Sequence, residues 1–107
     1  EETGIAIQTT NSLNDCLPKL DVVYINAIAW VGEEAESFGT KFELNSSSHL
    51  KKEAIILHPL ARGNELSTDL DQTSHNWYFS QARGAVFIRM ALLTCMSERT
   101  ERVIDVI

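Results

Sequence analysis

Two short apolar runs rich in β-branched residues constrain the fold of this chain more than any other feature. They occupy residues 22–25 and residues 54–57, and neither run alternates apolar with polar side chains. Uninterrupted runs of this length are typical of parallel strands that are buried on both faces. Parallel strands need crossover connections, which are usually helices packed on the sheet. The two runs therefore predict an α/β fold.

The segments around these runs predict the rest of the architecture. Residues 4–10 alternate apolar and polar side chains, which predicts a further short strand. Asn11 and Ser12 can cap a helix whose apolar residues follow at helical spacing, and Pro18 is expected to shorten that helix. A long helix is expected over about residues 83–96. This alternation of strands and helices indicates a doubly wound parallel sheet.

The connections between these elements are polar and rich in turn-forming residues. A loop with one short helix is expected first, then a capped polar turn or short helix, and then a turn-rich stretch. These connections are residues 26–45, residues 46–52 and residues 61–76. In doubly wound folds, ligands bind beyond the carboxyl ends of the strands. This rule directs attention to residues 26–34 and residues 58–65.

Composition and charge argue against several classes of protein. The 107 residues are 44% hydrophobic and 22% charged, which is ordinary for one compact globular domain. The net charge is −6 and the nine Lys and Arg residues are scattered, so no nucleic-acid partner is expected. No apolar stretch reaches the roughly 18 residues that span a bilayer, and the first residues do not have the pattern of a secretory signal. Cys16 and Cys95 lie far apart, which favours a reduced, cytoplasmic setting over a zinc site or a disulfide framework.

The first residues predict that the chain continues upstream. It opens Glu1-Glu2-Thr3-Gly4 without an initiator Met, and charged residues followed by Gly are typical of the end of a helix. A helix that ends there would begin before residue 1. We therefore expect a fragment of a longer protein.

Residues 58–65 carry the most informative polar side chains. His58, Arg62 and Glu65 place an imidazole, a guanidinium and a carboxylate at the mouth of a predicted parallel strand. Pro59 stiffens the backbone and has no amide hydrogen, so carbonyl oxygens nearby can face a ligand. A polar exit from the strand, with His58 as a structural histidine, explains the same residues equally well. The residues themselves leave both interpretations open.

A longer pattern continues from this loop without gaps. It reads His58-Pro59-Leu60-x-Arg62-x-x-Glu65, then Thr68-Asp69-Leu70-Asp71-x-Thr73-x-His75-x-Trp77-Tyr78-Phe79-x-Gln81-Ala82, and then Phe87-x-Arg89-x-Ala91-Leu92-Leu93. This pattern resembles the aspartate and ornithine carbamoyltransferase family, and the likeness covers most of residues 20–96. The ornithine enzymes have Cys after the His, so Pro59 favours the aspartate branch.

The resemblance implies a domain organisation and an activity. Residues 1–83 would belong to the C-terminal half of the second, amino-acid-binding domain, and residues 84–107 would form a terminal helix and tail that pack on the first domain. The family transfers the carbamoyl group of carbamoyl phosphate to an amine by direct attack. This reaction uses no metal, no cofactor and no covalent enzyme intermediate, so it depends on positioning and on electrostatic stabilisation.

The resemblance also implies roles for the residues of the loop. The backbone of His58, Pro59 and Leu60 would accept hydrogen bonds from the carbamoyl phosphate amine and from the α-amino group of the second substrate. Arg62 and Glu65 would hold the loop and the closed arrangement of the two domains.

Two departures from the family pattern bear on the loop and on the second substrate. The aspartate enzymes have a cis-proline after the Leu, whereas Ala61 follows Leu60 here, so either a costly non-proline cis bond or a remodelled loop is expected. The aspartate enzymes also clamp the substrate carboxylates with an Arg and a Gln, where this chain has Ala27 and Ala29. A methyl group cannot replace a bidentate guanidinium. Asn26 stands where the ornithine enzymes have an Asp for the substrate amine.

The remaining polar and aromatic groups have structural explanations. The aromatic cluster before the long helix is interpreted as part of the core, and the acidic run after the first strand as a solvated loop. Two histidines have no partner at metal-ligand spacing. These groups are Trp77-Tyr78-Phe79, the residues Glu33, Glu34 and Glu36, and the histidines His49 and His75.

The long helix is apolar on nearly every side over residues 85–93, with Arg89 as the exception. A helix of this kind is typically buried. We therefore expect a carboxylate or backbone carbonyls to pair with Arg89.

The resemblance implies a protein of the aspartate branch that acts in pyrimidine biosynthesis as a homotrimer, and the cysteines favour a cytoplasmic setting. The isolated chain is expected to be inactive, because the carbamoyl phosphate site of the family lies mainly in the first domain. A carbamoyltransferase for another amine or amino acid is one alternative, and a non-catalytic structural homologue is another. No membrane or metal partner is expected.

Overall fold

The computed structural model describes residues 4–27 and 39–98. Two α-helices and two β-strands are described, together with three short 3-10 helices. In chain order they are α1 (Leu13–Cys16), a 3-10 helix (Leu17–Lys19), β1 (Val22–Tyr24), a 3-10 helix (Gly39–Phe42), β2 (Ile55–Leu57), a 3-10 helix (Thr68–Leu70) and α2 (Tyr78–Glu98).

The two strands form a parallel pair, as the apolar runs predict. Val22, Val23 and Tyr24 of β1 lie opposite Ile55, Ile56 and Leu57 of β2. On the other side of β2, Ile56 forms a parallel bridge with Asn76, because its amide donates to the His75 carbonyl and its own carbonyl accepts from Trp77. β2 is therefore bonded on both edges, and Ile56 is fully buried. The α/β architecture is confirmed.

The hydrophobic core gathers around β2 and includes residues from the first 3-10 helix, both strands, the connections and α2. Leu17 anchors the first helical segment, and Tyr78 anchors the start of α2. The buried members of the cluster are Leu17, Val23, Leu44, Ile56, Leu66, Leu70 and Tyr78. Two polar side chains, His58 and Glu65, are buried beside this core at 0% and 5% exposure.

Residues 4–10 do not form the predicted strand. They are exposed, with Ile5 at 74% and Ile7 at 87%, and they pair with no strand in the described part of the chain. Alternation supplies an apolar face but no hydrogen-bonded neighbour, and a strand needs both. Gly4 has a φ of +68°, the left-handed conformation of the predicted helix-ending Gly, and residues 1–3 lie outside the described residues.

The first helix is short, and Pro18 lies in the 3-10 turn that ends it, as predicted. Ser12 occupies the N-cap position, but its hydroxyl makes no capping hydrogen bond. The prediction of a strand buried on both faces is wrong for β1, because only Val23 is buried while Val22 and Tyr24 are half exposed. The short helix expected in residues 26–45 is present as Gly39–Phe42, and residues 46–52 form a polar turn.

The long helix α2 begins at Tyr78, five residues before its predicted start. The aromatic cluster therefore divides: Tyr78 is in the core, whereas Trp77 and Phe79 are about half exposed. Beyond its first turns α2 is not buried within this chain, and Arg89 is exposed with no ion pair among the described residues. After Ala85, its exposed large apolar residues are Val86, Phe87, Ile88, Met90, Leu92, Leu93 and Met96. None of the helices in residues 4–27 and 39–98 is both long and apolar enough to cross a bilayer.

Candidate functional site

His58 follows β2 directly, and its side chain organises the loop. The Leu60 amide donates to His58 Nδ1 at 2.8 Å. Because Nδ1 is an acceptor, the ring hydrogen lies on Nε2, which donates to Glu65 Oε1 at 2.9 Å. Both ring nitrogens are engaged inside the protein, so this imidazole shapes the loop.

Glu65 closes the loop from its other end. Its Oε1 accepts hydrogen bonds from His58 Nε2 at 2.9 Å and from the Gly63 amide at 2.8 Å. Burial acts to raise the pKa of Glu65, but the hydrogen bonds from the Gly63 and Glu65 backbone and from His58 outweigh it, and the pKa is lowered. The carboxylate is thus held ionised as the acceptor that joins both ends of the loop.

The backbone between these two residues is in an unusual conformation. Leu60 has a φ of +70° and Ala61 a φ of +60°, and no cis peptide bond is present among the described residues. Of the two outcomes expected at Leu60-Ala61, the structure shows the remodelled loop. The left-handed region costs a non-glycine residue about 1–2 kcal/mol. The hydrogen bond from the Leu60 amide to His58 helps to hold this strained turn, while Pro59 and Ala61 stay exposed.

Arg62 binds Asp71 through both of its terminal nitrogens. Its Nη1 and Nη2 donate to the two carboxylate oxygens at 2.6 and 2.8 Å, and the Tyr78 hydroxyl donates to Asp71 Oδ1 at 2.5 Å. The guanidinium carbon also lies 5.8 Å from the centre of the Tyr78 ring and 6.0 Å from that of Phe79. The loop is thereby tied to the first turn of α2.

The charges in this cluster stabilise one another. Hydrogen bonds from Arg62 and Tyr78 lower the pKa of Asp71 to about 2, although burial acts in the opposite direction. The Asp71 carboxylate raises the pKa of Arg62 above its ordinary value. Burial, followed by the hydrogen bond to Asp71, raises the pKa of Tyr78 to about 12. At neutral pH the ion pair is therefore fully formed.

Asn26 lies at the same edge of the sheet as His58. Tyr24 is in register with Leu57, and the Ile25 amide donates to the Leu57 carbonyl at 3.0 Å, so residues 26 and 58 follow the ends of adjacent strands. Asn26 is exposed, and its Oδ1 accepts from the Ala27 amide. The acidic run Glu33, Glu34 and Glu36, and the clamp position Ala29, lie outside the described residues.

Three residues to which the sequence analysis gave no role in the site complete the arrangement. The Gln81 side chain accepts a hydrogen bond from the His58 amide at 2.9 Å. The Asp71 carboxylate accepts hydrogen bonds from the Arg62 guanidinium and from the Tyr78 hydroxyl. Tyr78 and Gln81 are three residues apart, which places them on one side of a helix. The spacing of Tyr78 and Gln81 would have indicated a shared helix face only if the helix had been predicted to begin at Tyr78.

The remaining histidines lie apart from this loop cluster or support the backbone. His75 Nδ1 donates to the Ala54 carbonyl at 2.7 Å, on the bridge side of β2, and His49 is exposed. No cluster of three or more His, Cys, Asp or Glu side chains suited to a metal ion occurs within the described ranges. The site is thus a loop held by internal hydrogen bonds at the carboxyl edge of a parallel sheet, with Pro59 and Ala61 exposed.

Comparisons with known proteins show which family this chain matches. Residues 1–96 match the family described as aspartate/ornithine carbamoyltransferase, Asp/Orn binding domain. The aspartate carbamoyltransferase catalytic subunit of Wigglesworthia glossinidia brevipalpis is 36% identical over 99 residues, which are 88% of this chain and 32% of the relative. That of Haloarcula marismortui is 35% identical over 106 residues, covering 89% and 33% of the two chains. The chain thus spans about a third of the length of these relatives.

Solved structures agree with the sequence relatives. Aspartate transcarbamoylase from Trypanosoma cruzi in complex with carbamoyl phosphate has a TM-score of 0.72 at 31% identity, covering 84% of this chain and 32% of that chain. The same enzyme in complex with aspartate and phosphate has a TM-score of 0.71 at 32% identity, covering 84% and 28%.

Proposed function

This chain belongs to the aspartate/ornithine carbamoyltransferase family, and we propose that its parent protein transfers the carbamoyl group of carbamoyl phosphate to the amine of aspartate. The observation that carries the proposal is the hydrogen-bonded loop of residues 58–65. It follows a buried parallel strand, its ends are joined by the contact between His58 and Glu65, and Pro59 and Ala61 within it are exposed. The Trypanosoma cruzi enzyme, which binds carbamoyl phosphate and aspartate, supports the assignment of substrates.

The proposed reaction is a direct displacement. The aspartate amine attacks the carbamoyl carbon, a carbon–nitrogen bond forms, the bond to the phosphate oxygen breaks, and phosphate leaves while the amine loses a proton. Backbone carbonyls of His58, Pro59 and Leu60 accept hydrogen bonds from the two nitrogen-bearing groups and orient them. Fixed dipoles of this kind need no reorganisation during the reaction, and they are therefore effective.

Arg62 and Glu65 support this backbone in the proposal, and they do so through the contacts already described. Arg62 binds Asp71 with both terminal nitrogens, and Glu65 binds the His58 ring. Asn26 lies beside the site at the end of β1, where it is exposed to the second substrate. Residues 1–83 form part of the amino-acid-binding domain and residues 84–107 the terminal helix and tail.

The wider setting is part of the same proposal. The parent protein acts in pyrimidine biosynthesis in the cytoplasm as a homotrimer, and this chain alone is inactive because the carbamoyl phosphate site of the family lies mainly in the first domain. The seven exposed large apolar side chains from Val86 to Met96 support a role for residues 84–107 in packing on that domain.

A carbamoyltransferase for another amine is the second candidate, and Ala27 favours it. Ala27 follows β1 at the position where aspartate enzymes have an Arg clamp, and its methyl group offers no charge to a substrate carboxylate. A non-catalytic homologue that assembles with active subunits is the third.

The deciding experiment uses the protein in its full natural length. Purified protein is supplied with carbamoyl phosphate and either aspartate, ornithine or a panel of other amines, and both phosphate release and the carbamoylated product are measured. Turnover with aspartate supports the proposal, and turnover with another amine alone supports the second candidate. Absence of turnover with every amine refutes both and leaves the non-catalytic homologue.

A further inference from the structure

The Gln81 side chain lies between the ends of both strands. Its Oε1 accepts from the His58 amide at 2.9 Å, and its Nε2 lies 3.5 Å from the Tyr24 hydroxyl, at the outer limit of a hydrogen bond. His58 begins the loop after β2, and Tyr24 ends β1. One amide on α2 therefore contacts the carboxyl end of each strand.

The hydrogen bond from the His58 amide to Gln81 replaces a backbone hydrogen bond that the sheet does not provide at this point. Next to β2, the Ile56 amide donates to the His75 carbonyl, and the Trp77 amide donates to the Ile56 carbonyl. In a continuing parallel ladder the His58 amide would donate to the Trp77 carbonyl. That carbonyl instead accepts from the Gln81 amide at 2.9 Å, because α2 begins there. The side chain of the same Gln81 then provides the acceptor that its backbone has removed.

The contact between Gln81 and His58 ties α2 to the loop through a series of three hydrogen bonds. Gln81 holds the His58 backbone, the His58 ring holds the Leu60 amide, and Glu65 holds the ring. His58 is fully buried, so its amide has no water to turn to if the Gln81 oxygen is removed. An unsatisfied amide would be free to rotate toward a new acceptor and to carry the following turn with it.

We propose that Gln81 is a positioning residue for carbamoyl transfer, which fixes the backbone of residues 58–60 against the incoming amine. The proposal rests on the proposed function, and it adds a residue outside the loop to the set that determines the geometry of the reaction. Gln81 itself touches no substrate in this role.

Two substitutions separate the acceptor from the rest of the side chain. Gln81→Leu keeps the approximate shape and removes the acceptor. Gln81→Glu keeps an oxygen for the His58 amide, and its second oxygen can accept from the Tyr24 hydroxyl. Ser80→Ala is the matched control, because Ser80 is exposed on the same turn of α2. If Gln81→Leu does not fold, Gln81→Asn withdraws the acceptor by one carbon–carbon bond and takes its place.

The variants are compared in the full-length protein by steady-state kinetics and by hydrogen exchange of peptides that cover residues 55–62. For Gln81→Leu we expect kcat to fall roughly 10- to 100-fold, since a small misplacement of reacting groups has effects of this size. The amides of the loop should exchange faster. For Gln81→Glu we expect kcat within about 5-fold of wild type and wild-type exchange, with a higher KM for the anionic substrates because a negative charge has been added. Ser80→Ala should leave all of these unchanged.

The outcomes are distinct from those of the proposed function. Wild-type kcat in Gln81→Leu overturns the inference, and so does an equal loss of kcat in Gln81→Leu and Gln81→Glu, since the acceptor is then not what matters. If wild-type protein carbamoylates no amine, the proposed function fails and the catalytic part of the inference fails with it. Faster exchange confined to Gln81→Leu would still establish that Gln81 fixes the loop, and unchanged exchange would refute that as well.

Discussion

Asp71 offers the sharpest test of how the loop is stabilised, through the substitution Asp71→Asn. The variant keeps the size of the side chain but removes its charge, and it turns one of the two acceptors for Arg62 into a donor. The pair is only about one-fifth exposed, at 20% for Arg62 and 22% for Asp71. We therefore expect a larger effect than for an ion pair on the open surface.

The magnitude follows from the pKa of Asp71, which is lowered from 3.8 to about 2. At about 1.4 kcal/mol per pH unit this difference corresponds to roughly 2.5 kcal/mol, and the partial exposure of the pair lowers it to about 1–2 kcal/mol. Because the folded pKa lies below the ordinary value, this stability is present above pH 3.8 and is lost as the pH falls toward 2. About half of the loss is complete at pH 3.

The assay is the free energy of unfolding by urea, measured for wild type and Asp71→Asn in the full-length protein between pH 6 and pH 3. The gap between the two proteins should narrow as the pH falls, because protonation removes the same charge from wild type that the substitution removes. Asp21→Asn is the control, since Asp21 binds Lys51 at 2.7 Å on the surface and is 84% exposed. A gap that stays constant from pH 6 to pH 3 would refute an origin in the ionised Asp71 carboxylate.

Three further predictions concern the same loop. Arg62→Ala should abolish most of the carbamoyl transfer proposed for the full-length protein, whereas Arg83→Ala, on the exposed side of α2, should change it little. Equal turnover in both variants would contradict a supporting role for Arg62. Glu65→Ala should lower the free energy of unfolding by about 3–5 kcal/mol because the His58 ring and a backbone amide lose their acceptor, and Glu65→Gln should lower it by less, as urea unfolding will show. Ala61→Gly should leave stability unchanged or raise it by up to about 1 kcal/mol, since glycine adopts a φ of +60° without strain; a clear decrease in the unfolding midpoint would count against strain at this position.

The features that could be predicted from sequence are those with a local physical cause. The short, uniform apolar run ending at Leu57 predicts a buried strand, and the structure shows it bonded on both edges. Pro18 ends the first helix because proline lacks the amide that a helix needs. The polar loop at His58 follows from the same reasoning, because it stands where the buried strand ends.

The features that could not be predicted depend on side-chain partners that no local pattern identifies. Arg62 binds Asp71, and no sequence pattern around either residue indicates that pairing. Tyr78 begins α2 because its side chain is buried and its hydroxyl reaches Asp71, which periodicity alone does not show. The alternation in residues 4–10 was sufficient for an amphipathic strand, but no described strand pairs with it.

The uniform apolar surface of α2 has a consequence for how this helix can be oriented. Its exposed apolar side chains, from Val86 to Met96, are distributed around the whole axis, so burial against another surface would be almost equally favourable at any rotation of the helix. Hydrophobic contact can therefore hold α2 in place but does not determine its rotation about its own axis. That rotation is determined by two polar contacts on one side of its first turn, from Tyr78 to Asp71 and from His58 to Gln81. These two contacts at one end of α2 therefore determine which way the apolar side chains from Val86 to Met96 face.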